Sequence, residues 1–330
     1  MCSSDLSPAQ AAREERCDRG MASRERPLLL NFAFNGWGGK YASGGDDAAT
    51  RALHASGVLG SVPLERHELV LEGGSIDSDG QGTLLTTSTC LLAPSRNPQL
   101  DRAALEAELK RRLGVKRVLW LEQSALPGDD TDAHIDTLVR FCPNDTLVFV
   151  PSQPSETWCE TRPDRAVAAN IDPRPRAAPA AVPLEAAQRL ELANHGWTGS
   201  GPTPPAEKGD SPSDLPPGAA PRSDPLERQL RALRTLEGQP YRLVPLPAGP
   251  PRHAPDDGRP LPATYANALF LNGNVFLPVY GDPERDAAAV AAWQQACPGW
   301  RVTPLDCSAL LLQHGSLHCA TMQIPAAVFG

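Results

Sequence analysis

Hydrophobic positions along the chain follow a strand, helix, strand order that can be aligned three times. The first copy contains GTLLTTSTCLL (82–92), which is typical of a β-rich strand pair, and a final strand in VKRVLWL (115–121). Between them DRAALEAELKRRL (101–113) predicts a helix, because three leucines four residues apart share one helix face. Asp101 suits the N-cap of this helix and Gly114 its C-terminal end.

The second and third copies repeat this order. In the second, TLVFV (146–150) predicts a strand, a helix begins at Pro225 after Asp224, and YRLVPLP (241–247) predicts the closing strand. In the third, ALFLNGNVFLPV (268–279) carries an Asn-Gly hairpin signal, PERDAAAVAAWQQA begins a helix at Pro283, and RVTPLD (301–306) returns as a strand. A unit that recurs at least three times predicts an α/β repeat architecture.

Two segments do not follow the repeat. Residues 1–27 are polar and charged without strand alternation, and we expect a disordered tail that is atypical of the fold. Proline accounts for 35 of the 330 residues and clusters between Pro173 and Pro225. This composition predicts a Pro-rich, disordered or loosely packed insertion at about 165–222, which interrupts a single domain spanning 28–330.

The charge and cysteine content narrow the class of protein. The chain has 31 Lys+Arg against 39 Asp+Glu, and the net charge of −8 argues against a nucleic-acid partner. No apolar run approaches the roughly 20 residues of a membrane helix, and the N-terminus lacks the apolar core of a secretion signal. The eight cysteines form no CxxC pair, so free thiols in a reducing compartment are expected. We therefore expect a soluble, cytoplasmic protein with no membrane partner.

Polar residues gather just before the first strand of each unit. These segments are LEGGSID (71–77), GDDTDAHID (128–136), PATYANA (262–268) and HGSLHCATMQ (314–323). Because equivalent positions of a circular repeat converge on one axis, we expect their side chains to meet at one centre.

Cys319 is the candidate nucleophile of that centre, since a thiolate is the strongest nucleophile among these side chains. In a strand the neighbouring His318 would face the opposite way, so His134 is the predicted general acid/base. Asp136, two residues further along a strand, would share the face of His134 and bind a cation. Glu72 would orient the His134 imidazole, as the third member of a triad orients its base.

Simpler interpretations apply to other cysteines and to possible metal sites. Cys90, Cys142, Cys297 and Cys307 are expected to be small buried residues. His314 and His318 have zinc-like spacing but lack an obvious third ligand, and the aspartates of GDDTDAHID lack the calcium-loop spacing. No metal and no organic cofactor are expected.

The glycine-rich segment NGWGGKY (35–41) lacks the spacing of a phosphate-binding loop. It predicts instead a tight turn that presents Trp37 to a pocket or to the core.

The motifs together resemble the agmatine deiminase family, which is related to bacterial peptidylarginine deiminases within the guanidine-modifying superfamily. The resemblance rests on FNGWGGKY, LEGGSID, RNP, GDDTDAHID, LPATYANALF and GSLHCATMQ. It extends from Asn31 to about Pro163 and from about Asp224 to Pro325.

This resemblance implies a five-bladed α/β propeller, the pentein fold, with an incomplete first blade. It implies that the Cys319 thiolate attacks a guanidinium carbon, that ammonia leaves, and that water hydrolyses the thiouronium intermediate. By the same resemblance His134 carries protons, Asp136 binds the guanidinium nitrogens, Glu72 supports His134, and Trp37 lines the substrate pocket.

Three departures from the family pattern bear on activity. A D-x-W-x-R-D-x-x-P pattern, which supplies a second guanidinium-binding aspartate, does not occur in residues 1–30. The insertion at about 165–222 interrupts the second unit. Ala133 stands where glycine is common, and it would strain the turn before His134 if that position needs a positive φ.

The sequence leaves several functions open. The leading hypothesis is hydrolysis of agmatine to N-carbamoylputrescine and ammonia, with a small cationic guanidine as the partner molecule. The alternatives are an arginine or peptidylarginine deiminase, an inactive or truncated pseudoenzyme, and a Cys-His hydrolase of neutral amides or esters. A homodimer is compatible with the sequence.

Overall fold

The structure is a computed structural model that describes residues 27–122, 125–152 and 224–325. Its strands form four separate small sheets, one of two strands and three of three strands. The predicted tail, apart from residue 27, and the predicted insertion lie outside the described residues.

The two-stranded sheet comes first in the chain. Strand β1 (Leu29–Ala33) pairs in parallel with β2 (Leu64–Val70). Between them lie the single turn α1 (Gly36–Gly39) and the helix α2 (Gly44–Ala55). Trp37 and Gly38 have left-handed backbone angles, with φ of 55° and 83°, so the glycine-rich segment forms a tight turn as predicted.

The three remaining sheets share one topology. In each, the first strand pairs antiparallel with the second, and the second pairs in parallel with the third. The strands are β3 (Ile76–Ser78), β4 (Thr83–Thr87) and β5 (Arg117–Leu121); then β6 (Val139–Cys142), β7 (Thr146–Phe149) and β8 (Arg242–Pro245); then β9 (Leu269–Leu271), β10 (Asn274–Val279) and β11 (Arg301–Asp306). The predicted threefold repeat is confirmed.

The helices connect the parallel strands. They are α3 (Ser88–Leu91), α4 (Arg102–Leu113), α5 (Pro225–Ala232), α6 (Pro283–Ala296) and, after β11, α7 (Ser308–Leu311). The predicted caps are confirmed, because Asp101, Asp224 and Asp282 each accept a hydrogen bond from a backbone N–H of the first helical turn. Gly114 ends α4 in a left-handed conformation, φ 68°.

One element differs from the prediction. Residues 82–92 do not form a strand pair: β4 ends at Thr87, and the one-turn helix α3 follows directly. The reason is local, because the Thr87 side chain accepts a hydrogen bond from the backbone N–H of Cys90 and so caps a helical turn. The antiparallel partner of β4 is β3.

The middle strands β4 and β7 are buried on both faces. In β4, Leu84 packs into one hydrophobic cluster and Leu85 into the next. In β7, Phe149 and Val148 divide in the same way between two clusters. Successive side chains of a strand point to opposite faces, so β4 and β7 each contribute to the packing on both of their sides.

A polar pair repeats at the start of two sheets. Thr83 stands opposite Arg117, and Thr146 stands opposite Arg242 at the equivalent position. The Nε atom of each arginine donates to the threonine Oγ1, at 3.0 Å and 3.1 Å respectively. The units therefore match in side-chain contacts as well as in topology.

Short 3₁₀ turns precede the first strands of two sheets. They span Gly73–Ser75 before β3 and Ile135–Thr137 before β6. These turns belong to the segments that the sequence predicted to converge. Within the described part of the chain no helix is both long enough and apolar enough to cross a bilayer.

Candidate active site

The turn before His134 is held in an unusual backbone conformation. Asp132 and Ala133 both have left-handed backbone angles, with φ of 66° and 65°, which residues other than glycine rarely adopt. The Asp129 carboxylate accepts hydrogen bonds from the backbone N–H groups of Thr131 and Ala133. Position 133 therefore has the positive φ at which alanine, in place of the glycine common in the family pattern, is expected to strain the turn.

His134 and Asp136 reach the same side of this segment. They do so on a 3₁₀ turn rather than on the predicted strand, because His134 is the N-cap residue of Ile135–Thr137. A Cβ atom built on Gly74 would lie 2.7 Å from His134 Nδ1 and 2.9 Å from Asp136 Oδ2. Gly74 therefore leaves the space in which the two side chains approach each other.

Asp136 is a buried carboxylate at the centre of the site, with 1% exposure. Its Oδ2 atom accepts a hydrogen bond from Asn267 Nδ2 at 3.0 Å and lies 2.8 Å from His318 Nδ1. Its Oδ1 atom accepts no hydrogen bond from the described residues. Burial alone would raise the pKa of Asp136, but the His318 hydrogen bond and the nearby positive charges hold that pKa below its usual range.

Cys319 lies beside this carboxylate, with its Sγ atom 4.0 Å from Asp136 Oδ2. His318 and Cys319 lie in a turn, not a strand, so the expectation that their side chains face opposite ways is wrong. The Asn267 side-chain oxygen accepts both backbone N–H groups, at 2.8 Å and 3.2 Å, and so holds the turn against Asp136.

The Cys319 thiol is protonated at neutral pH in this arrangement. The protein surrounding the thiol, and next the negative charge of Asp136, raise the pKa of Cys319 to about 11. Hydrogen bonds from the Ser316 backbone and from Asn267 act in the opposite direction. Cys319 as a whole residue is exposed. Its side chain nevertheless lines a small cavity, where the surrounding protein disfavours the charged thiolate.

His134 is buried, and its Nε2 atom has no hydrogen-bond partner in the described structure. The nearest carboxylate to that atom is Glu72, with Oε2 at 4.0 Å. Glu72 therefore faces the imidazole but does not hydrogen-bond to it.

The oxygens of Glu72 are occupied by Arg96. The Nε atom of Arg96 donates to Oε1 and Oε2 at 2.9 Å and 3.1 Å. Sequence reasoning assigned no role to Arg96, Asn267 or His318. The RNP motif and the PATYANA segment marked the first two as part of a recognisable pattern, but their contacts join residues distant in sequence.

Trp37 packs against two aromatic side chains of its own segment of the chain. Its ring makes edge-on contacts with Phe34 and Tyr41, at centroid distances of 5.0 Å and 5.5 Å. The Tyr41 hydroxyl donates to Asp130 at 2.6 Å, which connects this turn to the GDDTDAHID segment. Trp37 does not line the cavity at Cys319.

A small cavity brings His134 and Cys319 together, with Asn267 and the 314–316 segment among its other walls. Its volume of about 20 Å³ is close to the space that one water molecule needs. A substrate that places a planar group against Asp136 must therefore widen it. A larger cavity, about 310 Å³, is lined by Asp77 and Arg140 and contains none of the predicted catalytic residues.

One group in the described residues has the composition of a metal site. Potential ligand atoms of Glu72, Cys90 and His134 lie within 4.8 Å of one another. The Arg96 guanidinium already holds both Glu72 oxygens, and its positive charge disfavours a metal cation there. His314 and His318 do not belong to this group.

Comparison with known proteins identifies the family. The sequence pattern of the Porphyromonas-type peptidyl-arginine deiminases matches residues 11–187 and 215–325. The chain belongs to this family, as the resemblance to the agmatine deiminases and their bacterial peptidylarginine deiminase relatives predicted.

Several individual relatives are agmatine deiminases by name. A solved structure named a putative arginine deiminase, from Porphyromonas gingivalis, is 39% identical with a TM-score of 0.67, and the match covers 92% of this chain and 71% of that one. The agmatine deiminase of Ectopseudomonas mendocina is 31% identical over 312 residues, which cover 90% of this chain and 69% of that protein. The agmatine deiminase of Medicago truncatula is 28% identical over 333 residues, and the alignment covers 98% of this chain and 75% of that protein. A crystal structure of the C. jejuni agmatine deiminase, with a cysteine replaced by serine and substrate bound, superimposes with a TM-score of 0.60. The two sequences are 28% identical, and the superposition covers 88% of this chain and 66% of the C. jejuni chain.

Proposed function

We propose that this chain is a guanidine deiminase that hydrolyses agmatine to N-carbamoylputrescine and ammonia. One observation supports this most strongly: the Asp136 carboxylate is buried, its pKa is held low, and its Oδ2 lies 4.0 Å from the Sγ atom of the candidate nucleophile Cys319. Its Oδ1 accepts no hydrogen bond from the described residues. A planar cation with several N–H donors is the ligand that such a carboxylate prefers. The agmatine deiminase names of the relatives support the same substrate.

Binding of the cation also activates the thiol. Without substrate, burial and the Asp136 charge hold the pKa of Cys319 at about 11, so the thiol keeps its proton. A guanidinium bound to Asp136 offsets that negative charge, which lowers the pKa of the thiol. With substrate present, the thiol proton passes to His134 and the thiolate forms.

The thiolate then attacks the guanidinium carbon and forms a C–S bond. His134 donates a proton to one nitrogen, the C–N bond breaks, and ammonia leaves. The remaining thiouronium is attacked by a water molecule that gives its proton to His134, and the C–S bond breaks to release the ureido product and the Cys319 thiol.

Of the two histidines near Asp136, His134 is the better proton carrier. Its Nε2 atom has no hydrogen-bond partner among the described residues and its ring lines the cavity, whereas His318 Nδ1 is bound to Asp136. Glu72 faces His134, and His318 holds Asp136 in place.

We further propose that the observed sheets belong to a five-bladed α/β propeller whose first blade is incomplete, in a single cytoplasmic catalytic domain. The equivalent strand order of three sheets and the incomplete two-stranded sheet support this arrangement. The proposal includes association of two copies of this chain as a homodimer.

The assay that tests the function measures ammonia and ureido product from agmatine, free arginine and a blocked arginyl peptide in parallel, using the 330-residue chain. Product from agmatine supports the proposal. Product from arginine or the peptide alone supports the alternative deiminases. No product from folded protein supports the pseudoenzyme, and hydrolysis of a neutral amide supports the Cys-His hydrolase.

A further inference from the structure

Arg96 is a buried cation that contacts two separate parts of the candidate site. Its side chain has no exposed surface. Its Nε atom donates to both oxygens of Glu72, its Nη1 donates to Asp132 Oδ2 at 2.7 Å, and its Nη2 donates to the Thr131 carbonyl at 2.9 Å. One rigid guanidinium thus connects the segment before β3 to the turn before His134.

The Glu72 contact changes what that carboxylate can do. A carboxylate 4.0 Å from an imidazole normally approaches and forms a hydrogen-bonded ion pair. Here both oxygens already accept from Arg96, and His134 Nε2 is left without a partner. The positive charge of Arg96 also offsets the negative charge that Glu72 presents to His134.

The other half of the guanidinium holds a strained turn. Two successive residues with positive φ, neither of them glycine, are strained and persist only where contacts fix them. The Asp129 carboxylate and the hydrogen bond from Thr87 to the Ala133 carbonyl fix part of this turn. Arg96 fixes Asp132 and Thr131, immediately before His134.

We propose that Arg96 is a positioning residue of the deiminase, which fixes Glu72 and the 131–132 turn in one arrangement and keeps Glu72 from pairing with His134. The inference rests on the proposed function, because it assigns importance to the state of His134. Arg96 itself does not line the cavity at Cys319.

Loss of the guanidinium has a definite electrostatic consequence. In Arg96→Met, Glu72 becomes free to pair with His134 and stabilises the imidazolium, so His134 should titrate at higher pH. The other titratable groups near His134 are Cys90, Asp129, Asp136, His314 and Cys319, and Arg96 donates a hydrogen bond to none of them. Asp132 does lose its hydrogen bond from Arg96, and the double variant with Glu72→Gln separates that effect from the effect of Glu72.

The test follows the His134 ring by NMR as a function of pH in the full chain, with the signal assigned by its absence in His134→Gln. We expect the midpoint to rise by about one pH unit in Arg96→Met. Arg96→Lys keeps a positive charge near Glu72, so its midpoint should lie between those of the wild type and Arg96→Met. In the Arg96→Met, Glu72→Gln double variant the rise should disappear.

Arg117→Met is the matched control. Arg117 donates to Thr83, to the Thr235 carbonyl and to Tyr241, and Thr83 lies at the opposite end of β4 from Thr87, about 13 Å away along the strand. Its loss should lower stability without moving the His134 midpoint. A purely structural role for Arg96 predicts the same result for Arg96→Met, and that result would overturn the proposal.

The experiment also separates the two proposals. The titration requires folded protein but no turnover, so an inactive chain with the predicted shift would refute the function and retain the positioning role. If Arg96→Met does not fold, Arg96→Lys decides: a raised midpoint that Glu72→Gln removes supports the proposal, and an unchanged midpoint refutes it. In active protein, kcat should fall at least about tenfold while KM changes little, because Arg96 does not touch substrate.

Discussion

The Nδ1 atom of His318 lies 2.8 Å from Asp136 Oδ2, the same oxygen that Cys319 Sγ approaches to 4.0 Å. Two adjacent residues therefore meet one buried carboxylate. The His318 contact explains why Asp136 stays charged despite its burial. Burial of the thiol, together with the Asp136 charge, explains why Cys319 keeps its proton until a cation binds.

Removing the charge of Asp136 should make the free thiol more reactive. In Asp136→Asn the second largest cause that raises the pKa of Cys319 is lost, so the pKa falls below about 11 while burial keeps it above that of a free cysteine. We expect iodoacetamide to alkylate Cys319 faster in this variant than in the wild type at a pH of about 8 to 9. Mass spectrometry of timed samples measures the rate.

Turnover should change in the opposite direction, because the variant loses the carboxylate that binds the guanidinium. KM should rise and kcat should fall. Slower alkylation in Asp136→Asn, or a KM like that of the wild type, would contradict the assigned role of Asp136.

The Gly74 position should tolerate no side chain. In Gly74→Ala the new Cβ would lie 2.7 Å from His134 Nδ1 and 2.9 Å from Asp136 Oδ2, so both must move. We expect a loss of about 100-fold in kcat/KM, since small displacements of catalytic groups have effects of that size. The neighbouring Gly73→Ala is the control, because a Cβ there meets nothing within 4 Å. Equal activity of the two variants would show that the approach of His134 and Asp136 is unimportant.

The local elements were predictable from sequence because their signals are local. The caps at Asp101, Asp224 and Asp282 and the Asn272–Gly273 turn need only the residues around them. The convergence of Glu72, His134, Asp136 and Cys319 was also predicted, because the repeat places equivalent segments together.

Other parts of the site depend on backbone conformation and on long-range contacts. Whether His318 and Cys319 face the same way depends on a turn that Asn267 fixes from 51 and 52 residues away. Arg96 reaches Glu72 and Asp132, which are 24 and 36 residues distant. No periodic pattern in the sequence encodes such pairs.

The strained position of Ala133 gives a test of backbone energetics. Ala133→Gly removes a left-handed strain of about 1–2 kcal/mol, but it loses a buried methyl worth about 0.8 kcal/mol and gains about 0.5–1 kcal/mol of unfolded-state entropy. These contributions nearly cancel, so the free energy of unfolding should change by less than about 1 kcal/mol.

Ala133→Val should instead destabilise the protein by more than about 2 kcal/mol, because it adds a β-branched residue at positive φ to a packed core. Denaturant unfolding of both variants measures the difference. Similar stability of the valine and glycine variants would mean that the 132–133 turn is not strained in solution.

The most direct test of the central claim is intact-protein and peptide mass spectrometry after acid quenching of the chain with agmatine, in wild type and His134→Ala. We predict a covalent adduct on Cys319 with the mass of agmatine less one ammonia, transient in the wild type and absent in Cys319→Ser. Cys297→Ala, which changes a buried thiol away from the site, should retain the adduct and the turnover. Release of ammonia from agmatine by Cys319→Ser, or no adduct and no product from folded wild-type protein, would contradict the account.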